Sequence, residues 1–224
     1  MRGTLAIYGG EEVRDVDGCE RDKERAFKVN AEAVRHIVRV SRVVEAYLVH
    51  VSTDYVFDGE RGNYREYDVP NPINYYGLSK LVGEGYALSY DDSLVVRTSG
   101  VFKHKGFPVF VYKALKEGKE VHAFKGYYSP ISAKLLANAI KELIEMRRTG
   151  IINVAGERVS RYELALKIAE MYGLDKSKVR EVDEVKGWVA KRPLDSSLDI
   201  SKAKGLLSMD FYSLEENLKY MVIK

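Results

Sequence analysis

Two motifs decide the fold: HVSTDYVFDG (residues 50–59) and NYYGLSKLVGE (residues 74–84), joined by a polar loop that contains prolines. The apolar residues that lead into the first motif predict a buried strand, which ends close to Thr53. The second motif predicts a helix. It carries Tyr76 and Lys80 one turn apart, so we expect both side chains to point to the same side.

Tyr76, Lys80 and Thr53 together suit one kind of chemistry. A phenol holds its proton at neutral pH and can donate it to a reacting group. A lysine ammonium nearby stabilises the phenolate that this donation leaves behind. A hydroxyl at the end of the neighbouring strand can hold a carbonyl group against the phenol. The set therefore fits proton delivery to a carbonyl oxygen while a hydride reaches the carbonyl carbon.

The Tyr-x-x-x-Lys spacing has little weight without its context. It occurs four times, at Tyr76/Lys80, Tyr112/Lys116, Tyr172/Lys176 and Tyr220/Lys224. On a helical wheel, the first pair lies beside the small residues Gly83 and Ala87 and opposite an apolar stripe that includes Leu78 and Leu88. This arrangement predicts that another surface or a flat ligand approaches the pair closely. An ordinary amphipathic helix with a solvated Tyr and Lys is the open alternative.

Several motifs follow in an order that matches one known family. They are STDYVFDG, PNPINYYGLSKLVGE, RTSG, GERVSRYELA and KRPLDSSLD. With these motifs the chain resembles the dTDP-4-dehydrorhamnose reductase family of the extended short-chain dehydrogenases/reductases, from about Asp15 to Asp199. The resemblance implies an α/β fold with a Rossmann-like, doubly wound parallel sheet. It assigns residues 1–150 to a partial dinucleotide-binding domain and residues 151–224 mostly to a smaller substrate-binding lobe, interleaved with the first.

The resemblance also implies three sets of site residues. The catalytic set is Thr53, Tyr76 and Lys80. The set that contacts the cofactor is Ser52, Asn30, Tyr76, Lys80 and Thr98. The set near the substrate is Asp54, Tyr55 and Arg192. Two alternatives stay open: Asn30 as a packing contact inside a helix predicted from Arg21 to Tyr47, and Arg192 as one half of a surface ion pair rather than a diphosphate ligand.

The implied function is NAD(P)H-dependent reduction of the 4-keto group of a nucleotide-linked deoxysugar, as in dTDP-rhamnose biosynthesis. The cofactor would be NADPH or NADH. Gly100 stands where rhamnose-forming members carry a Trp that packs on the sugar, so the identity of the sugar stays open. Tyr127 and Tyr128 fit either a lip for the nucleotide base or ordinary packing, and the pattern favours packing. A non-catalytic or regulatory binding protein, like the beta subunit of methionine adenosyltransferase, is the alternative function.

The first eighteen residues depart from the family pattern. A dinucleotide-binding chain of this kind opens with a strand, a glycine-rich turn and a helix whose N–H groups face the pyrophosphate. Here the segment Thr4–Tyr8 is followed by Gly9, Gly10 and two glutamates, Glu11 and Glu12. We therefore expect an N-terminally truncated scaffold with impaired cofactor binding. We also expect Thr4–Tyr8 to form an edge strand that pairs with a second copy, giving a homo-oligomer.

Composition and charge exclude several other classes. The net charge is only +3, and the basic residues are interspersed with acidic ones, so nucleic acid is not an expected partner. The single cysteine permits no internal disulfide, which suits a reducing compartment. The sequence has no apolar run long enough for a membrane span and no secretory signal, and it has no ligand spacing typical of a metal site. The expectation is a cytoplasmic protein with no metal-ligand residues identified, and metal dependence stays open.

Overall fold

The computed structural model describes residues 5–8, as backbone, and residues 15–223. The expectation for Gly9–Glu12 therefore concerns residues outside the described part. The strands are β1 Leu5–Tyr8, β2 Tyr47–Thr53, β3 Ser93–Thr98, β4 Val121–Phe124, β5 Tyr127–Tyr128, β6 Gly150–Asn153, β7 Val159–Ser160 and β8 Val179–Val182. The α-helices are α1 Val16–Arg21, α2 Lys23–Phe27, α3 Ala33–Val44, α4 Tyr75–Leu88, α5 Phe107–Lys116, α6 Ala133–Glu145, α7 Arg161–Met171, α8 Ser201–Leu206 and α9 Leu214–Lys219.

The main sheet has four parallel strands in the order β1-β2-β3-β6. Thr53 of β2 stands level with Thr98 of β3, and Arg97 of β3 stands level with Asn153 of β6. Because parallel strands end at the same edge, the polar residues that close β2 and β3 meet there. This sheet confirms the predicted Rossmann-like α/β class. β1 lies at one end of the strand order, and association through it stays a prediction.

Beside the main sheet, the described chain contains two short two-stranded sheets and a second apolar core. β4 pairs in parallel with β8, and β5 pairs in antiparallel fashion with β7. The second core gathers apolar residues of α5, β4 and α7, including Val111, Val121 and Ile168. The main core instead combines α6 and α8 with the central strands. The chain thus passes from one core to the other more than once, because α5 and β4 precede α6 in sequence.

The helix predicted from Arg21 to Tyr47 is interrupted. Asp22 ends α1 and caps α2, where its carboxylate accepts a hydrogen bond from the Arg25 backbone N–H (3.0 Å). The chain then widens into a π-helical segment, Lys28–Glu32, before α3 begins. Such widened turns occur mostly inside α-helices and often lie at functional sites. This one contains the fully buried Asn30 and packs against α4.

The buried face of α4 differs from the predicted apolar stripe. Tyr76, Lys80 and Gly83 are buried, whereas Leu78 is 45% and Leu88 39% exposed. The small residues explain the reversal. At Gly83, a Cβ atom would lie 2.3 Å from the carbonyl oxygen of Asn30, so the π-helical segment approaches α4 more closely than any side chain would allow. The predicted close approach to this face is confirmed, and the alternative of a solvated Tyr76 and Lys80 is wrong.

Gly83 and Gly85 of α4 provide a matched test of this close packing. Gly83→Ala should lower the free energy of unfolding by about 1–3 kcal/mol, because the methyl group meets a backbone oxygen that has little room to move. At Gly85, a Cβ atom would have no neighbouring heavy atom within 4 Å. Gly85→Ala should therefore raise the free energy of unfolding by up to about 1 kcal/mol through helix propensity alone. Urea denaturation measures both; equal effects would contradict the packing.

Candidate active site

The beginning of α4 is fixed against the end of β2. The Asn74 side chain caps the helix by accepting a hydrogen bond from the Gly77 N–H (2.9 Å). Only glycine fits at position 77, because the Cβ of any other residue would lie 2.0 Å from the carbonyl oxygen of Tyr55. Tyr55 belongs to a 3₁₀ turn, Asp54–Val56, that follows β2 directly. This contact sets the first turn of α4, which carries Tyr76, beside the end of the strand.

The structure brings the three predicted catalytic residues to this end of β2. The ring of Tyr76 is 8% exposed and meets the Tyr55 ring edge to face, with 5.9 Å between centroids. Lys80 is fully buried, and its Nζ donates to the backbone oxygen of Val51 (2.6 Å). Thr53, buried at the end of β2, donates from Oγ1 to the Asp54 carboxylate (3.1 Å). A buried ammonium needs such an acceptor, and Val51 thereby fixes the lysine near the strand end.

Asp54 joins three parts of the chain. Its carboxylate accepts hydrogen bonds from the hydroxyls of Thr53 (3.1 Å), Ser99 (2.7 Å) and Ser196 (2.5 Å). Burial raises the pKa of Asp54, and these three hydrogen bonds oppose that rise. Asp54 was predicted to contact the substrate, but its carboxylate oxygens already accept hydrogen bonds from within the protein. Its observed contacts orient Thr53 and anchor the loop that contains Ser196.

A buried ion pair next to the site was not predicted from the sequence. Arg97 of β3 and Glu84 of α4 are at most 2% exposed and lie 2.7 Å apart between Nη2 and Oε2. Ser52, predicted as a cofactor contact, donates its hydroxyl to the same carboxylate (2.5 Å). The ion pair links α4 to β2 and β3. Its sequence signals are an arginine inside the otherwise apolar strand LVVRT and a glutamate one helical turn beyond Lys80.

Arg97→Met tests the ion pair. The variant should lose about 3–5 kcal/mol of unfolding free energy, because it leaves the Glu84 carboxylate buried without a counter-charge. The double variant Arg97→Met/Glu84→Met removes both charges and should lose less than Arg97→Met alone. Chemical denaturation of the three proteins measures this. A single variant as stable as the wild type would contradict the assignment.

Thr98 and Asn30, both predicted cofactor contacts, have different surroundings. The Thr98 hydroxyl is buried and has no hydrogen-bond partner within residues 15–223. An unsatisfied buried hydroxyl is costly, so its place level with Thr53 suits a ligand group. Asn30 donates from Nδ2 to Ser79 Oγ (3.0 Å), and Ser79 donates to the backbone oxygen of Tyr76 (2.9 Å). Asn30 is thus connected through Ser79 to the backbone of α4, and its contact with a cofactor stays a prediction.

Arg192, the predicted diphosphate ligand, forms an ion pair. Its Nη2 lies 2.8 Å from Asp17 Oδ2, and its guanidinium lies 4.7 Å from the centre of the Trp188 ring. Asp17 also accepts the backbone N–H groups of Val189 (2.8 Å) and Ala190 (2.9 Å). The structure therefore has the ion pair that the sequence left open as an alternative, in a mostly buried setting. The aspartate fastens the loop before Arg192 to α1.

The Asp17 ion pair predicts a pH dependence. Burial raises the pKa of Asp17, but the hydrogen bond and charge of Arg192 and the two backbone N–H groups outweigh burial and lower it to about 2. The unfolded value is near ~3.9, so the carboxylate stabilises the fold above about pH 4, and this stabilisation disappears as the pH falls through 2. Asp17→Asn should lose about 2 kcal/mol at pH 7 and almost nothing at pH 2.

Denaturation of wild type and Asp17→Asn between pH 7 and pH 2 measures this difference. Asp91→Asn, at an exposed residue, is the control and should stay within about 0.5 kcal/mol of wild type throughout. A wild-type advantage over Asp17→Asn that does not change with pH would contradict the lowered pKa.

Tyr128 occupies the space beside Gly100. Gly100 has a φ of +49°, and a Cβ there would lie 2.4 Å from the Tyr128 ring. Tyr128 is 3% exposed, so ordinary packing, which the sequence favoured, is correct for this residue. Tyr127 is partly exposed beneath the Arg158 guanidinium (3.7 Å to the ring centre). A Trp side chain at position 100 would clash with Tyr128. The space that a Trp fills in rhamnose-forming members of the resembled family is therefore occupied here by Tyr128.

The described residues contain neither a metal cluster nor a membrane-spanning helix. No group of three or more His, Cys, Asp or Glu side chains in that part of the chain is arranged to hold a metal ion. Within the same residues, no helix combines the length and apolar character needed to cross a membrane.

A parallel sheet with a Tyr/Lys helix and a threonine at its carboxyl edge is the architecture of the short-chain dehydrogenases/reductases. The chain belongs to the family described as RmlD substrate binding domain, whose profile matches residues 7–224. This match confirms the predicted family.

The similar sequences include reductases and a regulatory subunit. The probable low-salt glycan biosynthesis reductase Agl14 of Haloferax volcanii is 35% identical over 220 residues, which are 91% of this chain and 72% of that protein. The methionine adenosyltransferase 2 subunit beta of Bos taurus is 28% identical over 207 residues, 86% of this chain and 62% of that protein.

Solved structures agree with the fold. A hypothetical dTDP-4-dehydrorhamnose reductase from Sulfolobus tokodaii superposes with a TM-score of 0.95 and 64% identity, over 99% of this chain and 80% of that one. The dTDP-4-dehydrorhamnose reductase of Bacillus anthracis, solved in complex with NADP, gives a TM-score of 0.89 and 29% identity, over 97% and 79% of the two chains.

Proposed function

We propose that this protein uses NAD(P)H to reduce the 4-keto group of a nucleotide-linked deoxysugar. The observation that supports this proposal best is the arrangement of Tyr76 and Lys80 on the buried face of α4, at the end of the strand that Thr53 closes. The similarity to a glycan biosynthesis reductase and to dTDP-4-dehydrorhamnose reductases supports the same class of substrate.

Each of the three residues has a separate task in the proposed reaction. Tyr76 donates its phenolic proton to the carbonyl oxygen as negative charge develops there. The Lys80 ammonium, held by the Val51 carbonyl, stabilises the phenolate that remains. Thr53, whose single hydroxyl hydrogen bonds to the Asp54 carboxylate in this structure, would turn that hydrogen to the carbonyl oxygen when the substrate binds. The small exposure of Tyr76 keeps bulk water from competing for the proton.

The described residues fit the nicotinamide end of a dinucleotide. The buried Thr98 hydroxyl lacks a partner in the described chain, and it lies at the same sheet edge as Thr53. Thr98, Tyr76 and Lys80 would hold the ribose and amide groups, with Asn30 behind the helix. A reduced nicotinamide, when bound, supplies the hydride. If these 224 residues are the whole protein, we expect weak NADPH binding, because their sequence has no glycine-rich turn for the pyrophosphate.

A second candidate function is non-catalytic binding or regulation. One observation favours it: the similarity to methionine adenosyltransferase subunit beta across 86% of this chain. A protein of this kind would use the same fold to bind a nucleotide or another protein without turnover.

Tyr76→Phe tests the enzyme hypothesis. With NADPH and a dTDP-linked 4-keto-6-deoxyhexose, the variant should lose at least about a hundredfold in turnover, because it removes the proton donor and leaves the ring. Tyr112→Phe is the matched control. Tyr112 has the same spacing to a lysine, with Lys116 Nζ 5.5 Å from its ring, but it packs in the second core. The oxidation of NADPH, followed by absorbance, measures both variants.

The outcomes separate the two functions. Turnover that falls only in Tyr76→Phe supports the reductase. No turnover by wild type, even at millimolar NADPH and with several nucleotide-linked keto sugars, would contradict it. Saturable NADPH binding in a nicotinamide fluorescence titration, without any turnover, would favour the binding protein. Tight, micromolar binding would also show that the expected weakness of the cofactor site is wrong.

A further inference from the structure

Arg161 lies close to the proposed catalytic residues, although it is far from them in sequence. It is the first residue of α7, and its guanidinium lies 4.3 Å from the centre of the Tyr128 ring. Burial raises the pKa of the Tyr55 phenol, and the charge of Arg161 together with its side-chain hydrogen bond to that phenol opposes this rise. Tyr55 in turn packs edge to face on Tyr76. One aromatic ring therefore separates the arginine from the proposed proton donor.

The positive charge of Arg161 has no carboxylate partner within residues 15–223, where its contacts are with Tyr128 and Tyr55. Arg161 stands at the N-terminus of a helix, where the helix dipole disfavours a positive charge. The absence of a carboxylate partner is therefore more costly at this position. The carboxyl group that faces it, Asp54, already accepts three hydroxyl hydrogen bonds. Arg161 is also partly exposed. An anion from outside the chain would balance its charge.

A buried donor without a partner lies next to Arg161. The Tyr128 hydroxyl makes no hydrogen bond within the described residues, and its ring is 3% exposed. Burial raises its pKa, so the phenol keeps its proton at neutral pH; Arg161, Tyr55 and Asp54 are the charged or titratable groups that face it. An unsatisfied buried donor beside a guanidinium that has no carboxylate partner is typical of a site for an oxygen-rich anion.

Arg192 is a poorer candidate for the same task. Its guanidinium is engaged by both oxygens of Asp17 and by the backbone oxygen of Ala190 (2.8 Å). Binding a phosphate there would require breaking a paired and largely buried contact, which is costly. Arg161 requires no such rearrangement.

We propose that Arg161 binds a phosphate group of a nucleoside diphosphate whose sugar lies against Tyr76. The proposal rests on the function proposed above and adds the residue that recognises the diphosphate. A pyranose ring separates its 4-keto oxygen from the phosphate on its anomeric carbon. Tyr55 separates Tyr76 from Arg161 in a corresponding way, so the sugar would lie across the Tyr55 ring. The forked guanidinium can contact two phosphate oxygens at once.

Calorimetric titration with dTDP and with thymidine tests this inference. Arg161→Gln should weaken dTDP binding about tenfold to a hundredfold and leave thymidine binding unchanged, because only dTDP carries the anion. Arg161→Lys, which keeps the charge but loses the fork, should give an intermediate loss. Arg180→Gln, at an exposed arginine of β8, should bind dTDP within about twofold of wild type. Thermal unfolding of each variant checks that the fold is intact.

Three results would overturn the inference. They are unchanged dTDP binding by Arg161→Gln, equal losses for dTDP and thymidine, and a wild type that binds none of dTDP, UDP and GDP. The two proposals can fail separately. Wild type that binds dTDP through Arg161 but never oxidises NADPH would refute the reductase and keep the phosphate site. Turnover with an unchanged KM for the nucleotide sugar in Arg161→Gln would keep the reductase and refute the phosphate site.

Discussion

The buried ion pair between Arg97 and Glu84 holds the proposed site together. It joins the helix that carries Tyr76 and Lys80 to the two strands whose ends face it, and the Ser52 hydroxyl completes the contact. A charge pair this deeply buried is stable only when both partners and their hydrogen bonds are in place. The helix therefore has one well-defined position on the sheet, and the phenol and the ammonium are positioned with it.

Near this ion pair, several polar residues that were predicted to contact a ligand instead form hydrogen bonds that position other residues of the protein. Asp54 orients Thr53 and anchors the Ser196 loop, while Asn30 supports the helix backbone through Ser79. Thr98 and Tyr128 are exceptions within the described chain, since their buried hydroxyls have no partner. These exceptions border the proposed cofactor and substrate positions, which is where unsatisfied groups carry functional meaning.

Features that depend on local sequence patterns could be predicted from the sequence. The strand end at Thr53 and the helix with Tyr76 and Lys80 follow from local sequence patterns, and the parallel sheet follows from the family resemblance. The ion pairs joining residues distant in sequence did not, because no local pattern shows which arginine meets which carboxylate. Arg192 was thus assigned to the diphosphate without its partner Asp17. The helical wheel of α4 left open whether Tyr76 and Lys80 are solvated, because it could not show that a π-helical segment packs on the glycine side.

A crystal structure of the chain with dTDP-rhamnose would test the central claim most directly. The arrangement of Tyr76, Thr53 and Lys80 predicts that the 4-hydroxyl of the sugar, which the proposed reduction would form from the keto group, lies within hydrogen-bond distance of both Tyr76 Oη and Thr53 Oγ1. A sugar bound elsewhere, or a Tyr76 phenol turned away from Thr53 in the complex, would contradict the account.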